Sequence, residues 1–501
     1  MNAKKKRNLV VMLVIMVILI GALVVIQFVN KNKSDDGSDT GYQGELISNF
    51  KSSEISKVSY QYRDGEKLNY KYVKETWYNA DDDKFPLSSS AFANNFITAF
   101  LDTKTSRVIE QPEDESNYGF DDPYLTLNVE NIGGKVETFY IGDYNSMLGE
   151  YYLKIEGKDK IYTIGTDLIY ICRADMYDYA TLEAFPSYSK DTLTDLTVKN
   201  HDVTVSFTYF ADGYETDLIG QCKWFFGKPF SYYRSAETNK MDALESDVLS
   251  LMQFSKLVNY KATKDDIEAY GLNNSDRQYI INDTVTDEET GVTTKRSQIV
   301  DFGNYDEESD CYYARVTVLN GDVRTVSPNV YLVSKTSVDS LLGIDPLDYV
   351  YKQVVYVKLV DVADENSNIT IQTPDGEFVL KNKTTFNDDG TEKENIYTLN
   401  DQSVEESAVE GFYYEILADC GMERIIYDRS TIVTDKEPTY TIIYNRNKDE
   451  YKDTYFGQQI VVTYTEYDTN YYQASVNGNT DILVNRRMLD ETMAELPEML
   501  K

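Results

Sequence analysis

The alternation of apolar and polar residues predicts the same β-hairpin three times along the chain. The stretches are EYYLKIEGKDKIYTI (150–164), CYYARVTVLNGDVRTV (311–326) and NYYQASVNGNTDILV (470–484). Side chains alternate between the two faces of a strand, so Tyr151, Leu153 and Ile155 are predicted to share the core-facing side. Asn320-Gly321 and Asn477-Gly478 supply turn residues that tolerate positive φ.

A helical pattern precedes each hairpin, with apolar residues at the spacing that forms one stripe on a helix. The stripes are Phe92, Phe96, Phe100 and Leu101; Met241, Leu244, Val248, Leu251 and Met252; and Val409, Phe412, Tyr413 and Ile416. A short basic and aliphatic strand follows each helix, namely Arg107-Val108-Ile109, Lys256-Leu257-Val258 and Arg424-Ile425-Ile426. A shorter helix is predicted after each hairpin. This common order recurs at about 160 residues, which indicates a repeated unit.

The sequence therefore predicts an α+β fold with three tandem, related domains. Each domain is expected to combine a mainly antiparallel sheet with one longer and one short helix. The predicted repeat domains are 48–186, 187–350 and 351–501. Three unrelated α+β domains that share common motifs are the alternative interpretation.

The N-terminal region predicts a membrane anchor. Residues 9–29 contain no charged residue, and as a helix they would span about 30 Å, the thickness of a bilayer core. KKKR precedes them, so the positive-inside rule places residues 1–8 in the cytoplasm. We expect an uncleaved signal-anchor helix at 9–29, a flexible stalk at 30–47, and the bulk of the chain outside the cell membrane. Cleavage after the apolar run is the alternative, although no small-x-small site follows it.

The charge balance restricts the partners. The chain carries 84 acidic and 49 basic residues, a net charge of −35. Nucleic acids and anionic lipid headgroups need a basic stripe, so we expect neither as a partner of the extracellular part. Solubility is the favoured interpretation of the acidity, ahead of recognition through acidic sites.

Candidate catalytic residues are few. His201 is the single histidine, and we interpret it as an exposed turn residue rather than a general base. The four cysteines (Cys172, Cys222, Cys311 and Cys420) are too far apart for a zinc motif and are expected to be buried thiols, with one disulfide left open. No nucleophile-elbow, zincin, dinucleotide-binding or P-loop motif occurs, so no catalytic residue and no cofactor is predicted.

Two acidic clusters are candidate calcium sites. Asp81, Asp82 and Asp83 are adjacent, and Asp388 and Asp389 precede Gly390 as in the middle of an EF-hand loop. Thr385 and Ile396, however, occupy the positions where that loop requires Asp and Glu. We interpret both clusters as solvated loops and predict no metal site.

Aromatic residues suggest one ligand hypothesis. The chain has 43 Tyr and 2 Trp, and sugar rings stack on aromatic faces. Trp77 in ETWYN and Trp224 in CKWFFGKP are the candidate ligand-contact residues. A structural role for the tyrosines in half-buried strands is the favoured alternative.

The first copy resembles an uncharacterised bacterial family that is named only as a domain of unknown function. The residues that carry the resemblance are Trp77-Tyr78, Pro86, the Phe-rich helix through Leu101, Arg107-Val108, Tyr118-Gly119-Phe120-Asp121-Asp122-Pro123, Phe139-Tyr140-Ile141-Gly142-Asp143, Tyr151-Tyr152 and Ile161-Tyr162. The family pattern has Leu where this chain has Phe120. The second copy keeps Tyr270-Gly271-Leu272 and Phe302-Gly303, whereas the third lacks the Tyr-Gly element.

The resemblance implies a membrane-anchored ectodomain, often encoded beside an ABC-type transport system related to gliding-motility exporters. It offers no catalytic residues. We therefore expect a non-enzymatic, single-pass membrane protein that acts as an accessory or scaffold component of an ABC-type transport or surface complex. A cell-wall glycan-binding module is the first alternative. A carboxylate-dependent surface hydrolase is the second, and it requires two acids that face one cleft.

Overall fold

The computed structural model describes residues 44–364, 366–387 and 392–501. It is a mixed α+β structure with three antiparallel sheets in this part of the chain. The chain divides into two compact units, the first ending at Tyr179 and the second beginning at Ala180. The anchor predicted at 9–29, the tail at 1–8 and the stalk up to residue 43 lie outside the described residues. Within the described ranges, no helix is long and apolar enough to cross a membrane.

The first unit contains sheet 1, an eight-stranded sheet. Its strands are β1 Ile55–Tyr62, β2 Leu68–Val73, β3 Thr76–Asn79, β4 Thr105–Ile109, β5 Leu125–Asn131, β6 Val136–Asn145, β7 Glu150–Ile155 and β8 Ile161–Ile164. Its helices are α1 Ser89–Phe92, a π-helical turn Ala93–Ile97, α2 Thr98–Asp102, α3 Asp167–Cys172, and 3₁₀ turns at Ser52–Glu54, Glu115–Tyr118 and Met176–Tyr179. The strand order is β3-β2-β1-β5-β6-β7-β8-β4.

The second unit begins with sheet 2. Its strands are β9 Leu193–Asn200, β10 Val203–Tyr209, β11 Trp224–Lys228, β12 Arg234–Ser235, β13 Lys256–Asn259, β14 Arg277–Thr286, β15 Thr293–Asp306, β16 Cys311–Asn320, β17 Val323–Val326 and β18 Val330–Ser334. Its helices are α4 Thr238–Asp247, α5 Lys264–Ala269 and α6 Lys335–Leu342, with 3₁₀ turns at Leu249–Leu251 and Pro346–Asp348. The order is β12-β11-β10-β9-β14-β15-β16-β18-β13, and β17 pairs with β16.

Sheet 3 completes the second unit. Its strands are β19 Asn368–Thr373, β20 Gly376–Phe386, β21 Glu392–Leu399, β22 Gln402–Val404, β23 Met422–Ile425, β24 Tyr440–Asn445, β25 Gln459–Glu466, β26 Tyr471–Val476 and β27 Asn479–Asn485. Its helices are α7 Glu406–Ala418 and α8 Arg486–Met493, with 3₁₀ turns at Leu359–Val362, Arg429–Thr431, Asp449–Tyr451 and Glu498–Leu500. The order is β22-β21-β20-β19-β24-β25-β26-β27-β23.

All three sheets share one strand order. When the equivalent strands are lettered a to h along the chain, each sheet reads c-b-a-e-f-g-h-d. The additional strands are β12 and β22 beyond strand c, and β17 beside strand g. Strand d always follows the longer helix and always carries a β-bulge against strand h. This is the topology that three copies of one unit would produce, while the domain boundaries at 186 and 350 stay predictions.

The longer helix packs on its sheet through the predicted stripe in the first and third copies. Phe92, Phe96 and Phe100 are fully buried, and the Phe96 ring stacks on Tyr60 of β1 at 5.2 Å. The four predicted residues of α7 are likewise buried. In the second copy α4 ends at Asp247, so Leu251 falls in the following 3₁₀ turn and is 58% exposed. The predicted stripe is wrong at that position.

The predicted hairpin forms in all three sheets, and in sheets 1 and 3 its second strand is strand h of the common order. Leu153 is fully buried and Ile155 is 5% exposed, and Tyr151 is partly buried against the same core. In sheet 2, however, the second strand of the predicted hairpin is an additional strand of the sheet. Strand β16 turns back as β17, but the strand equivalent to β8 and β27 is β18, which pairs with the start of β16.

Candidate functional site

Trp77 lies inside sheet 1 on strand c. It is 4% exposed and pairs across the strands with Tyr72, and its ring lies 5.0 Å from the Phe92 ring. Trp224 holds the corresponding place on strand c of sheet 2, 2% exposed and opposite Tyr209. Neither indole presents an open face to a sugar. Their burial favours the structural role over the ligand-contact role weighed for them.

His201 lies in the turn between β9 and β10, in a left-handed conformation with φ 53°. Its Nδ1 lies 2.6 Å from an Asp276 carboxylate oxygen, and more than half of each side chain is exposed. The hydrogen bond from His201 holds the pKa of Asp276 below its usual range. Among the described residues, no serine or cysteine forms a hydrogen bond to the His201 ring. The His201–Asp276 pair therefore stabilises the turn and does not have the geometry of an activated nucleophile.

The cysteines are free thiols. Cys172, Cys222 and Cys420 are buried as predicted, whereas Cys311 is half-buried. Burial raises the pKa of Cys222 to about 12 and of Cys420 to about 11, which keeps both thiols protonated and unreactive at neutral pH.

The described ranges contain no group of three or more acidic, histidine or cysteine side chains that could hold a metal ion. Asp81 accepts a hydrogen bond from Asn69 at 2.9 Å. Asp388 and Asp389 lie outside the described residues. The calcium interpretation therefore gains no support from the first cluster and is not addressed for the second.

Sheet 1 carries a groove of about 310 Å³, and two acidic residues, Asp81 and Glu130, line it. Glu130 is paired with Lys57, whose ammonium lies 3.0 Å from the carboxylate. Glycoside hydrolysis needs one carboxyl group that stays protonated until it donates its proton, usually through apolar burial or a second carboxylate. Glu130 instead has a cation as its neighbour, and Asp81 is exposed.

A second groove, of about 360 Å³, lies within the second unit and is lined mainly by aromatic rings. We call it the tyrosine groove and define it by Tyr214, Phe230, Tyr232, Tyr233 and Tyr455. Three connections supply these residues: 210–223 between β10 and β11, 229–233 between β11 and β12, and 446–458 between β24 and β25. The groove therefore lies where the b–c side of sheet 2 meets a connection of sheet 3.

The rings of the tyrosine groove are held by one another. Tyr214 stacks on Phe210 with ring centres 4.3 Å apart, and Tyr233 packs edge to face on both at 5.0 and 5.3 Å. On the other side, Tyr232 contacts Tyr455 at 5.8 Å. These contacts limit rotation of the side chains, so a ligand would find most of the surface already formed.

Buried charged residues hold the backbone and side chains of the 229–233 connection in place. Arg234, 7% exposed, donates to the hydroxyl of Tyr232 at 2.9 Å and to the carbonyls of Gln353 and Val354. Asp481, 1% exposed, accepts hydrogen bonds from the Ser231 amide and hydroxyl at 3.0 and 2.6 Å. Arg429 pairs with Asp481 at 2.6 Å. The 229–233 connection is thus fixed to sheet 3 by a buried carboxylate.

Electrostatics keep the tyrosines neutral. Burial, followed by the nearby Asp195, raises the pKa of Tyr233 above its ordinary value. Burial and the carboxylate of Glu215 raise the pKa of Tyr455 in the same direction. Both phenols are therefore hydrogen-bond donors as well as acceptors at neutral pH.

Sequence reasoning did not select the groove residues. They lie in irregular connections that have no hydrophobic period, and Tyr455 is far from the others in the chain. One signal was available: the segment from Phe210 to Tyr233 is rich in aromatic residues and has no counterpart of similar length in the first copy, where β2 and β3 are joined by Lys74 and Glu75 alone.

The fold and the groove describe an α+β protein of repeated antiparallel sheets with a candidate ligand site on the second. The model of a family described as a domain of unknown function (DUF4340) matches residues 77–275, from β3 of sheet 1 to the segment before β14. The matched range includes both sheet 2 connections that form the tyrosine groove. No curated protein and no solved structure matches the chain.

Proposed function

We propose that the protein is a non-enzymatic, membrane-anchored binding protein that acts outside the cell membrane as an accessory or scaffold component of an ABC-type transport or surface complex. The uncharged segment 9–29 behind KKKR supports the anchor and its orientation. The resemblance of the first copy to a family of membrane-anchored ectodomains supports the transport setting. The tyrosine groove supports the binding role most directly.

The chemistry of the groove suits binding. Its described lining consists of aromatic rings, hydroxyl groups and Gly227, with Lys228 as the one charged side chain among those residues. A pocket of a few hundred Å³ with rings and a few polar groups is typical of a ligand site. The described lining contains no carboxylate and no histidine, the side chains that most often transfer protons in catalysis.

The position of the groove also supports a function beyond folding. The same strand order forms in sheet 1 with a two-residue turn between strands b and c, and in sheet 3 with a connection of residues 387–391. The long connection at 210–223 is therefore not required to build this kind of sheet. Segments of this type, carried on a rigid scaffold, commonly hold binding residues.

Cross-linking in native membranes tests the proposal. We expect a membrane-impermeant, amine-reactive cross-linker applied to intact cells to join the full-length chain to subunits of an ABC-type transporter. Mass spectrometry of the cross-linked material identifies the partners. The matched control is the same cells treated with cross-linker that has first been quenched with free amine.

Two results would contradict the proposal. Failure of an impermeant reagent to modify the chain in intact cells, together with modification after lysis, would place the described part on the wrong side of the membrane. Efficient modification without any transport or other membrane protein in the cross-linked material would remove the accessory role.

A further inference from the structure

We infer that the tyrosine groove binds a neutral saccharide chain, an inference that rests on the proposed binding role and names its ligand. The two sequence candidates for sugar contact, Trp77 and Trp224, are buried in their sheets. In the groove, Tyr455 is 42% exposed at the rim, Tyr214, Tyr232 and Tyr233 are half-buried, and Phe230 is buried beneath them. The residues proposed to contact a sugar are therefore those of the tyrosine groove and not the two tryptophans.

Ring geometry is the first argument. A pyranose ring has an apolar face of C–H groups, which gains dispersion energy when it lies on a rigid aromatic face. Tyr455 packs edge to face on the buried Phe456 at 5.0 Å, and Tyr214 rests on Phe210 at 4.3 Å. Both tyrosines are thus supported from within the protein while they line the groove, which is what such a contact requires.

Unpaired hydroxyl groups are the second argument. Among the residues that the structure describes, none forms a hydrogen bond to the hydroxyl of Tyr214, Tyr233 or Tyr455. The rim of a sugar ring carries alternating donors and acceptors, and a phenol can serve either role. Ser206 and Ser231 also line the groove, but the Ser206 hydroxyl already accepts from the Lys228 amide and the Ser231 hydroxyl already donates to Asp481, so the three phenols carry this argument. An apolar ligand would leave these groups unused, whereas a sugar would engage them.

Charge is the third argument. The protein as a whole carries −35, and Lys228 is the single charged residue in the described lining, so a polyanionic chain would gain one close contact against a repulsive field. A cationic ligand would be attracted by the aromatic faces but repelled by the ammonium of Lys228 in the same lining, and Asp481 behind Ser231 is already paired with Arg429. A neutral ligand fits this balance best.

A proline-rich peptide is the competing ligand for an aromatic groove, because extended polyproline segments dock between aromatic side chains. Such a peptide offers acceptors along one edge but few donors, since proline lacks the amide N–H. The groove presents several hydroxyl groups that can accept as well as donate. This difference favours the saccharide.

Calorimetric titration of the full-length chain in a zwitterionic detergent tests the inference, since glucoside and maltoside detergents would compete for the site. The probes are chitotetraose, cellotetraose and maltotetraose, with octaproline as the peptide probe. We expect at least one tetrasaccharide to bind. Tyr455→Ala and Tyr233→Ala should each weaken that binding by about tenfold, and Tyr455→Phe, which keeps the ring, should weaken it by less.

Tyr414→Ala is the matched control, because Tyr414 is a 66% exposed tyrosine of the same unit outside the groove, and it should leave binding unchanged. Binding of no tetrasaccharide, binding that survives Tyr455→Ala, or binding of octaproline that Tyr455→Ala abolishes would each overturn the inference. None of these results removes the accessory role, which the cross-linking experiment judges separately.

Discussion

At the scale of single residues, Gly142 and Gly303 show how the repeated motifs act. A Cβ atom on Gly142 would lie 2.0 Å from the Tyr118 carbonyl oxygen, and one on Gly303 would lie 2.1 Å from that of Tyr270. Both glycines sit at a β-bulge between strands f and g. The two Tyr-Gly motifs and their partners, Ile141-Gly142 and Phe302-Gly303, are therefore the two halves of one backbone contact. Sheet 3 has neither the Tyr-Gly element nor this bulge.

We predict that Gly142→Ala lowers the free energy of unfolding by about 2–3 kcal/mol, because the added methyl group must displace the Tyr118 backbone. Urea denaturation followed by circular dichroism measures the change. Gly165→Ala is the control in the same unit, since its Cβ would meet no atom within 4 Å, and we expect a change below about 0.5 kcal/mol. Equal losses in the two variants would show that the contact is not as tight as described.

Asp301 is a buried carboxylate on strand f of sheet 2. It is 9% exposed, and burial raises its pKa above the ordinary value although Gln278, Arg315, Arg324 and Lys199 oppose the shift. The folded state therefore binds a proton more readily than the unfolded state. The stability of the protein should fall as pH rises from the ordinary pKa of an aspartate through the raised one.

Asp301→Asn removes this titration and keeps an oxygen to accept the hydrogen bond from Gln278, whose amide lies 2.7 Å away. We predict that the variant gains stability relative to the parent as pH rises from about 4, and that the difference reaches a plateau above the raised pKa. Urea denaturation of both proteins at a series of pH values measures it. A difference that stays constant, or that shrinks with rising pH, would contradict the burial of a charged group here.

The limits of residue prediction from the sequence have a physical cause. Trp77 and Trp224 stand out by rarity, but rarity does not report exposure, and both fill the core. Tyr214, Tyr233 and Tyr455 become neighbours only because two connections of sheet 2 and one of sheet 3 converge. No period or spacing in the chain encodes that convergence.

At the scale of elements, the helix stripes and the hairpins were accessible to sequence analysis because their side chains follow a period of 3.6 or 2. The α7 helix is the clearest case. Its stripe at Val409, Phe412, Tyr413 and Ile416 is buried, while Tyr414 on the opposite side is 66% exposed. The end of a helix is not periodic, which is why Leu251 was misplaced.

We predict that Phe412→Ala destabilises the second unit by about 3–5 kcal/mol, because it removes a large side chain that is 2% exposed. Tyr414→Ala on the same helix should change the free energy of unfolding by less than about 0.5 kcal/mol. Chemical denaturation of both variants makes the comparison. If Tyr414→Ala lowered the free energy of unfolding more than Phe412→Ala does, the side of α7 that faces the sheet would be assigned wrongly.

At the scale of the whole molecule, the three sheets repeat one topology, whereas the residues at equivalent positions differ. The position of Asp301 corresponds to Tyr140 in sheet 1 and Thr463 in sheet 3, as the pairing with the adjacent strand g shows. The repeated unit could be inferred from its core motifs, but the strand order could not. The individual character of each copy was also not predictable, because it resides in single side chains that do not follow the repeat, such as Asp301, and in connections that do not repeat.

The net charge of −35 has a consequence for stability. Like charges on a folded surface repel, and salt weakens that repulsion over distances of about 10 Å. We predict that the midpoint of urea denaturation rises when NaCl increases from about 20 mM to about 150 mM, at pH 7. Urea is uncharged and leaves the ionic strength under control. A midpoint that falls with added salt would mean that attractive ion pairs outweigh the repulsion.

The turn between β2 and β3 offers a use for the shared topology. Lys74 and Glu75 close this turn with positive φ values of 49° and 65°, at the place where sheet 2 carries the whole segment 210–223. A sheet of this order therefore accommodates either two residues or a segment of fourteen residues, 210–223, between strands b and c. For protein engineering, this turn is the position in the first unit where a foreign binding peptide can be inserted without interrupting a strand pair.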